Sequence, residues 1–146
     1  MQDRADYGST ADLRMTQKER AKLKKKCDML WSKVTKIEWA KKYGTVCPWC
    51  KSKPWAQSDH IANRWIHSTR WIVENCVCLC AGCHIYKKPQ QPAEWSEMVV
   101  STIGRDRYEA ILVASKEVVK DQDYQKVYEY LKSFLPKENK VIGGRA

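Results

Sequence analysis

Apolar side chains recur at three- and four-residue steps between Thr16 or Gln17 and Tyr43, at Leu23, Cys27, Leu30, Val34 and Ile37. That spacing lines one face of an α-helix, and Gly44 is suited to end it because glycine adopts the left-handed conformation common at helix C-termini. A helix over residues 17–44 is therefore expected, after a polar and aperiodic tail over 1–16. From 45 to 88 the helical period disappears. Thr45-Val46 and Trp71-Ile72-Val73 are short β-compatible pieces between turn-like stretches, Cys76 and Cys78 alternate as on a strand, and Ala81–Lys88 fits a short helix stopped by Pro89. Beyond it, helices are expected at 93–103, 105–116 and 122–135, with Pro92 in a first turn, Gly104 as a break, Asp121 as an N-cap and Pro136 as the end. Val113, Val118, Val119, Tyr124, Val127, Tyr128, Leu131 and Leu135 read as the packing face of this helical tail over 92–136, and residues 137–146 as a frayed end. At 146 residues the chain suits one domain. The expected class is α+β, mostly helical.

Charge sharpens the picture. The formal net charge is +10, and it is uneven: residues 1–46 hold 12 Lys/Arg against 6 Asp/Glu, residues 47–91 hold 6 against 2, and residues 92–146 hold 9 against 9. A basic excess confined to part of a domain is the footprint of a polyanion partner, although a solvated basic surface is the plain alternative. Lys24 and Lys25 lie among the lysines of the long helix. No apolar run approaches the roughly 18 residues needed to span a bilayer, so no membrane role is expected. The polar N-terminus does not resemble a signal peptide, and the seven cysteines are expected to be reduced thiols in a cytoplasm.

The cysteines carry chemistry. Cys47-Pro48-Trp49-Cys50 and Cys80-Ala81-Gly82-Cys83 are two C-x-x-C pairs 29 residues apart. Each pair can aim two thiolates from a tight turn at one ion, and two pairs complete the tetrahedral sulfur shell that zinc favours. One pair alone would also suit redox chemistry, but the second pair and the lack of a βαβ pattern favour structural zinc. Such an ion would clamp residues 51–79 into one geometry. Cys27, Cys76 and Cys78 read as packing residues.

The chain's three histidines, His60, His67 and His84, all fall beside these cysteines. Asp59-His60-Ile61, followed by Asn75 and then Cys80, Cys83 and His84 with Lys87 shortly after, resembles the HNH nuclease motif in its zinc-supported form. The match spans residues 47–88 and implies a small ββα-metal core. Under this resemblance His60 is the general base, since a neutral imidazole accepts a proton near pH 7. Asp59 and His84 would bind an exchangeable Mg²⁺ or Mn²⁺, and Asn75 would hold the hairpin and orient His60. His67 reads as a supporting or spectator group. Arg64 and Arg70 are candidate phosphate contacts, with Lys87 and Lys88 weaker ones. Trp49, Trp55, Trp65 and Trp71 are expected to pack around the hairpin.

Outside the motif, Leu23-Lys24-Lys25-Lys26-Cys27-Asp28-Met29-Leu30-Trp31-Ser32, His67-Ser68-Thr69-Arg70-Trp71 and Gly104-Arg105-Asp106-Arg107-Tyr108 are similar to segments of the phage NinG or Rap recombination endonucleases. The chain departs from them in having Asp59 before the first motif histidine and His84 where they carry asparagine. This similarity implies branched or recombination-intermediate DNA as substrate and a bacterial host cytoplasm. Symmetric double-strand cleavage would require two active sites, and hence a homodimer. The competing expectation is a zinc-stabilised DNA-binding or adaptor protein without catalysis.

Overall fold

The computed structural model describes residues 15–137; residues 1–14 of the expected tail over 1–16, and the expected frayed end beyond 137, lie outside them. Helix α1 (Gln17–Tyr43) begins at a reciprocal cap, in which Thr16 Oγ1 accepts the Glu19 N–H and Glu19 Oε1 accepts the Thr16 N–H, both at 3.0 Å. It ends at Gly44, whose φ of 85° suits glycine and whose N–H donates to Ala40 O. Cys27 and Val34 are buried as the period predicts, but Trp31, Thr35 and Trp39 share that buried face. Apolar periodicity alone misses such a mixed stripe, because a buried threonine does not register in it.

Strands β1 (Gln57–His60) and β2 (Cys76–Leu79) pair antiparallel, with Asp59 opposite Val77 and His60 opposite Cys76. β1 is Gln-Ser-Asp-His, too polar to be recognised as a strand in advance. Trp71–Val73, expected to be β-like, instead forms consecutive turns, with Ile72 N–H donating to Thr69 O and Asn75 N–H to Ile72 O. Val46 makes only an isolated bridge to Pro54.

After β2 comes a π-helical turn, Cys83–Lys87, running into a short helix α2 (Lys88–Gln90). Pro89 therefore does not stop the helix. Proline has no N–H for the carbonyl four residues back and its ring clashes with that carbonyl. The wider turn relieves both problems: Lys88 N–H reaches back five residues to Cys83 O.

Helices α3 (Pro92–Ile103), α4 (Arg105–Ala114) and α5 (Tyr124–Lys132) complete the described chain. α5 is capped by Asp123, whose carboxylate accepts the Lys126 N–H, rather than by Asp121. It packs along α1, with Tyr124 and Leu131 buried and the Cys27 thiol donating to Tyr124 O at 3.4 Å. The expected packing face of the tail divides here. Val127, Tyr128 and Leu135 pack against the core, whereas Val113 and Val118 are 65 % and 82 % exposed. Val118 and Val119 fall in the link before α5, where no helix orients them inward. The class is α+β and mostly helical, and no helix among the described residues is long and apolar enough to cross a membrane.

One acid fastens the long loop between the strands to α1. Asp28 accepts from Arg70 Nε (3.0 Å) and Nη2 (2.7 Å), from the Trp71 indole N–H (2.8 Å) and from Arg64 Nη2 (3.3 Å). Burial pushes the Asp28 carboxyl up, but the hydrogen bonds from Arg70 and Trp71 and the charges of Arg70 and Arg64 outweigh it and hold the group below its ordinary value. A carboxyl lowered on folding stabilises the protein fully above its unfolded pKa of about 4. That contribution is lost as pH falls through the lower folded value. Asp28→Asn, which leaves Arg70 buried without its charge partner, should cost about 3 kcal/mol near neutral pH. In urea denaturation series the gap between variant and wild type should close as pH falls below about 4.

Candidate functional site

Two tight turns bring four sulfurs together. In the first, Cys47 N–H donates to Lys53 O (2.7 Å) and Lys51 N–H to Cys47 O (3.0 Å), while Lys51 takes a φ of 57°, uncommon for a residue other than glycine. The second starts at the end of β2: Cys83 N–H points at Cys80 Sγ (3.5 Å) and His84 N–H donates to Cys80 O. The sulfurs of Cys47, Cys50, Cys80 and Cys83 all lie within 4.8 Å of one another, and Cys50 and Cys80 are 3.8 Å apart. Hydrogen bonds from the Ser52 hydroxyl and backbone pull the Cys50 thiol down to about 6. Burial and the neighbouring Cys80 and Cys47 push Cys83 up to about 12. This cluster can hold a metal ion. Cys27, Cys76 and Cys78 stand apart from it as buried core residues.

β1 then presents two chemically active side chains to opposite faces of the hairpin, because consecutive strand residues alternate. Asp59 faces the turn after β2. Its Oδ2 accepts from Lys88 Nζ at 2.7 Å and lies 3.7 Å from His84 Nδ1. Asp59 is 8 % exposed, and the buried His84 Nδ1 has no hydrogen-bond partner. His60 faces α1. Its ring stacks on Trp31 at 3.9 Å between centroids and 5° between planes, and Nε2 lies 2.9 Å from Arg70 O. A carbonyl only accepts, so Nε2 carries the proton in the neutral ring and Nδ1 keeps its lone pair. Burial lowers the His60 pKa, against the opposing effects of the Arg70 carbonyl and Asp59. The structure thus joins Asp59 to His84 but sets His60 on the other face, rather than turning all three directly toward one point.

Asn75 is fully buried and stitches the loop to itself. Its Oδ1 accepts the Ala62 N–H at 2.7 Å, and Nδ2 donates to Ala62 O and Thr69 O. None of these hydrogen bonds reaches Asp59 or His84. Arg70 needs a further correction: read as a phosphate contact, it is 8 % exposed and committed to Asp28, so its guanidinium is not offered to solvent. Arg64 keeps a side chain 62 % exposed despite its longer contact to Asp28. Lys25 is exposed, whereas Lys24 is half-buried near His67. Burial first, and then the Lys24 charge, lower the His67 pKa. Lys87 and Lys88 are occupied by aromatic rings, Lys87 over Trp49 at 4.5 Å and Lys88 over Trp95 at 4.4 Å. Trp49, Trp55 and Trp71 pack as expected, but Trp65 is 73 % exposed.

Several contributors escaped the sequence reading. Asp28, Trp31 and Thr35 lie on one side of α1 and hold, in turn, the loop, the His60 ring and the Ser58 hydroxyl, the last at 2.8 Å. Their three- and four-residue spacing was the available signal, masked by their mixed polarity. Comparison with protein-family models, curated proteins and solved structures gives no match.

A left-handed conformation costs a residue with a Cβ about 1 kcal/mol, so Lys51→Gly should raise the unfolding free energy by about that amount in denaturant titrations. A strong chelator should lower the melting temperature of the metal-loaded protein, and Cys83→Ser should remove that response together with the bound metal.

Proposed function

We propose that the chain is a metal-dependent DNA endonuclease of the HNH type, with structural zinc in the sulfur cluster and Mg²⁺ or Mn²⁺ between Asp59 and His84. The observation that carries this reading is the 3.7 Å approach of a buried carboxylate oxygen to a buried imidazole nitrogen with no hydrogen-bond partner. A buried nitrogen without a hydrogen-bond partner is costly unless something bonds it, and one oxygen plus one nitrogen suit a divalent ion with further positions open to phosphate and water. Zinc fits the sulfur cluster on similar grounds. A tetrahedral shell with Zn–S bonds of about 2.3 Å has edges of roughly 3.8 Å, matching the 3.8 Å between Cys50 and Cys80.

In this scheme Asp59 and His84 would hold the divalent ion, which when bound would supply positive charge to the reacting phosphate and the leaving oxygen. The chain's own residues do the rest. Trp31 and the Arg70 carbonyl fix the His60 ring, so that the free Nδ1 can take a proton from an attacking water. Asn75 keeps the loop that carries Arg70 in place. His60 on one face of β1 and the Asp59–His84 pair on the other would have to meet the scissile phosphate from opposite sides of the strand. Arg64, Lys24, Lys25 and Lys87 are the basic side chains proposed to meet the DNA backbone. Branched DNA as the substrate rests on the NinG/Rap similarity alone.

His60→Ala should reduce plasmid nicking by at least about a hundredfold while zinc content and DNA affinity stay close to wild type. Normal cleavage by the variant would refute the base assignment. A second reading, a zinc-stabilised DNA-binding module without catalysis, is favoured by one observation: Lys88 already neutralises Asp59. DNA binding with no nicking under Mg²⁺ or Mn²⁺ would select that module instead.

A further inference from the structure

Two groups of different kind meet Asp59 Oδ2. The Lys88 ammonium donates to it at 2.7 Å, and His84 Nδ1 stands 3.7 Å away with no hydrogen bond of its own. A divalent ion held by Asp59 and His84 would draw on the same carboxylate oxygen as the ammonium. His84 gives up nothing to admit that ion, whereas Lys88 does. Two cations on one buried carboxylate oxygen repel strongly in surroundings of low polarity, so entry of the ion requires the ammonium to leave.

Lys88 has somewhere to go. Its side chain is 31 % exposed, and Nζ lies 4.4 Å from the centre of the Trp95 ring. The aliphatic stem can stay packed while the head slides along the aromatic face toward solvent. Lys88 also follows His84 by four residues across the π-helical turn, which keeps both side chains on the side facing Asp59.

We propose that Lys88 is a tethered placeholder for the divalent cation: it holds Asp59 ready, is exchanged for the ion, and then turns its ammonium to the phosphate of the bound nucleic acid. The inference rests on the cation site of the nuclease reading. Exchanging a bound monovalent group for a divalent ion while the lysine remains nearby raises the local charge by two. A phosphodiester relieves that excess, so ion and DNA should each strengthen the binding of the other.

The test is calorimetric titration of Mn²⁺ into the full-length, zinc-loaded protein without DNA, comparing wild type with Lys88→Met and Lys88→Arg. Methionine keeps an apolar stem against Trp95 and removes the charge, so Lys88→Met should bind Mn²⁺ about tenfold more tightly or better, while Lys88→Arg stays near wild type. Should Lys88→Met melt early, Lys88→Gln serves for the same comparison. Equal or weaker Mn²⁺ affinity in a folded, zinc-replete neutral variant overturns the proposal, and if the wild type still nicks plasmid with Mn²⁺ the nuclease reading survives. Tighter Mn²⁺ binding without nicking by any form supports the exchange and removes the nuclease. Absence of Mn²⁺ binding in every form, even at millimolar concentration, overturns both.

Discussion

The carboxylate of Asp28 is the fixed point on which the arrangement turns. A loop of fifteen residues between two four-residue strands cannot order itself through its own contacts. Asp28 supplies the missing constraint from a rigid helix, binding Arg70 through two nitrogens and Trp71 through its indole. Because the carbonyl of the same Arg70 meets His60 Nε2, the ion pair on one end of that residue fixes the imidazole at the other. Charge-assisted hydrogen bonds in a partly buried setting give this anchor more directional force than apolar packing alone would.

The hairpin behaves as a thin partition. On one side α1 receives Ser58 and His60, through Thr35 and Trp31; on the other the turn after β2 meets Asp59 with His84 and Lys88. The two halves rest on different supports. The imidazole half depends on helix packing and the Asp28 anchor, and the carboxylate half depends on the cysteine cluster, since Cys83 and His84 are neighbours in the same turn. Lys87, resting on Trp49 between Cys47 and Cys50, ties that turn to the first cysteine pair as well.

What the sequence made legible follows from how local each signal is. The α1 boundaries are written in Thr16, Glu19 and Gly44, and the helix runs Gln17–Tyr43 accordingly. The four cysteines announce themselves through two short spacings, and they do converge. β1 was hidden because its strand character comes from pairing with Cys76–Leu79 and not from its own polar residues. Arg70 was misassigned because a lone arginine looks the same in sequence whether it meets a phosphate or an internal acid. Its partner lies 42 residues away on another element. The opposition of Asp59 and His60 became visible only once β1 was known to be a strand. For two adjacent residues, secondary structure decides whether they act from one face or from two.

The π-helical turn has a consequence for charge placement. One extra residue in the turn sets every later side chain back by about 100° relative to an unbroken α-helix. Lys88 therefore takes roughly the bearing that residue 87 would hold in the tighter helix. Both positions are lysine, so a cationic head would remain opposite Asp59 in either winding. The aromatic ring of Trp49, which has a single lysine above it, would lose its cover. The doubled lysine makes neutralisation of the carboxylate insensitive to helical winding, while the contact with the first cysteine pair registers it.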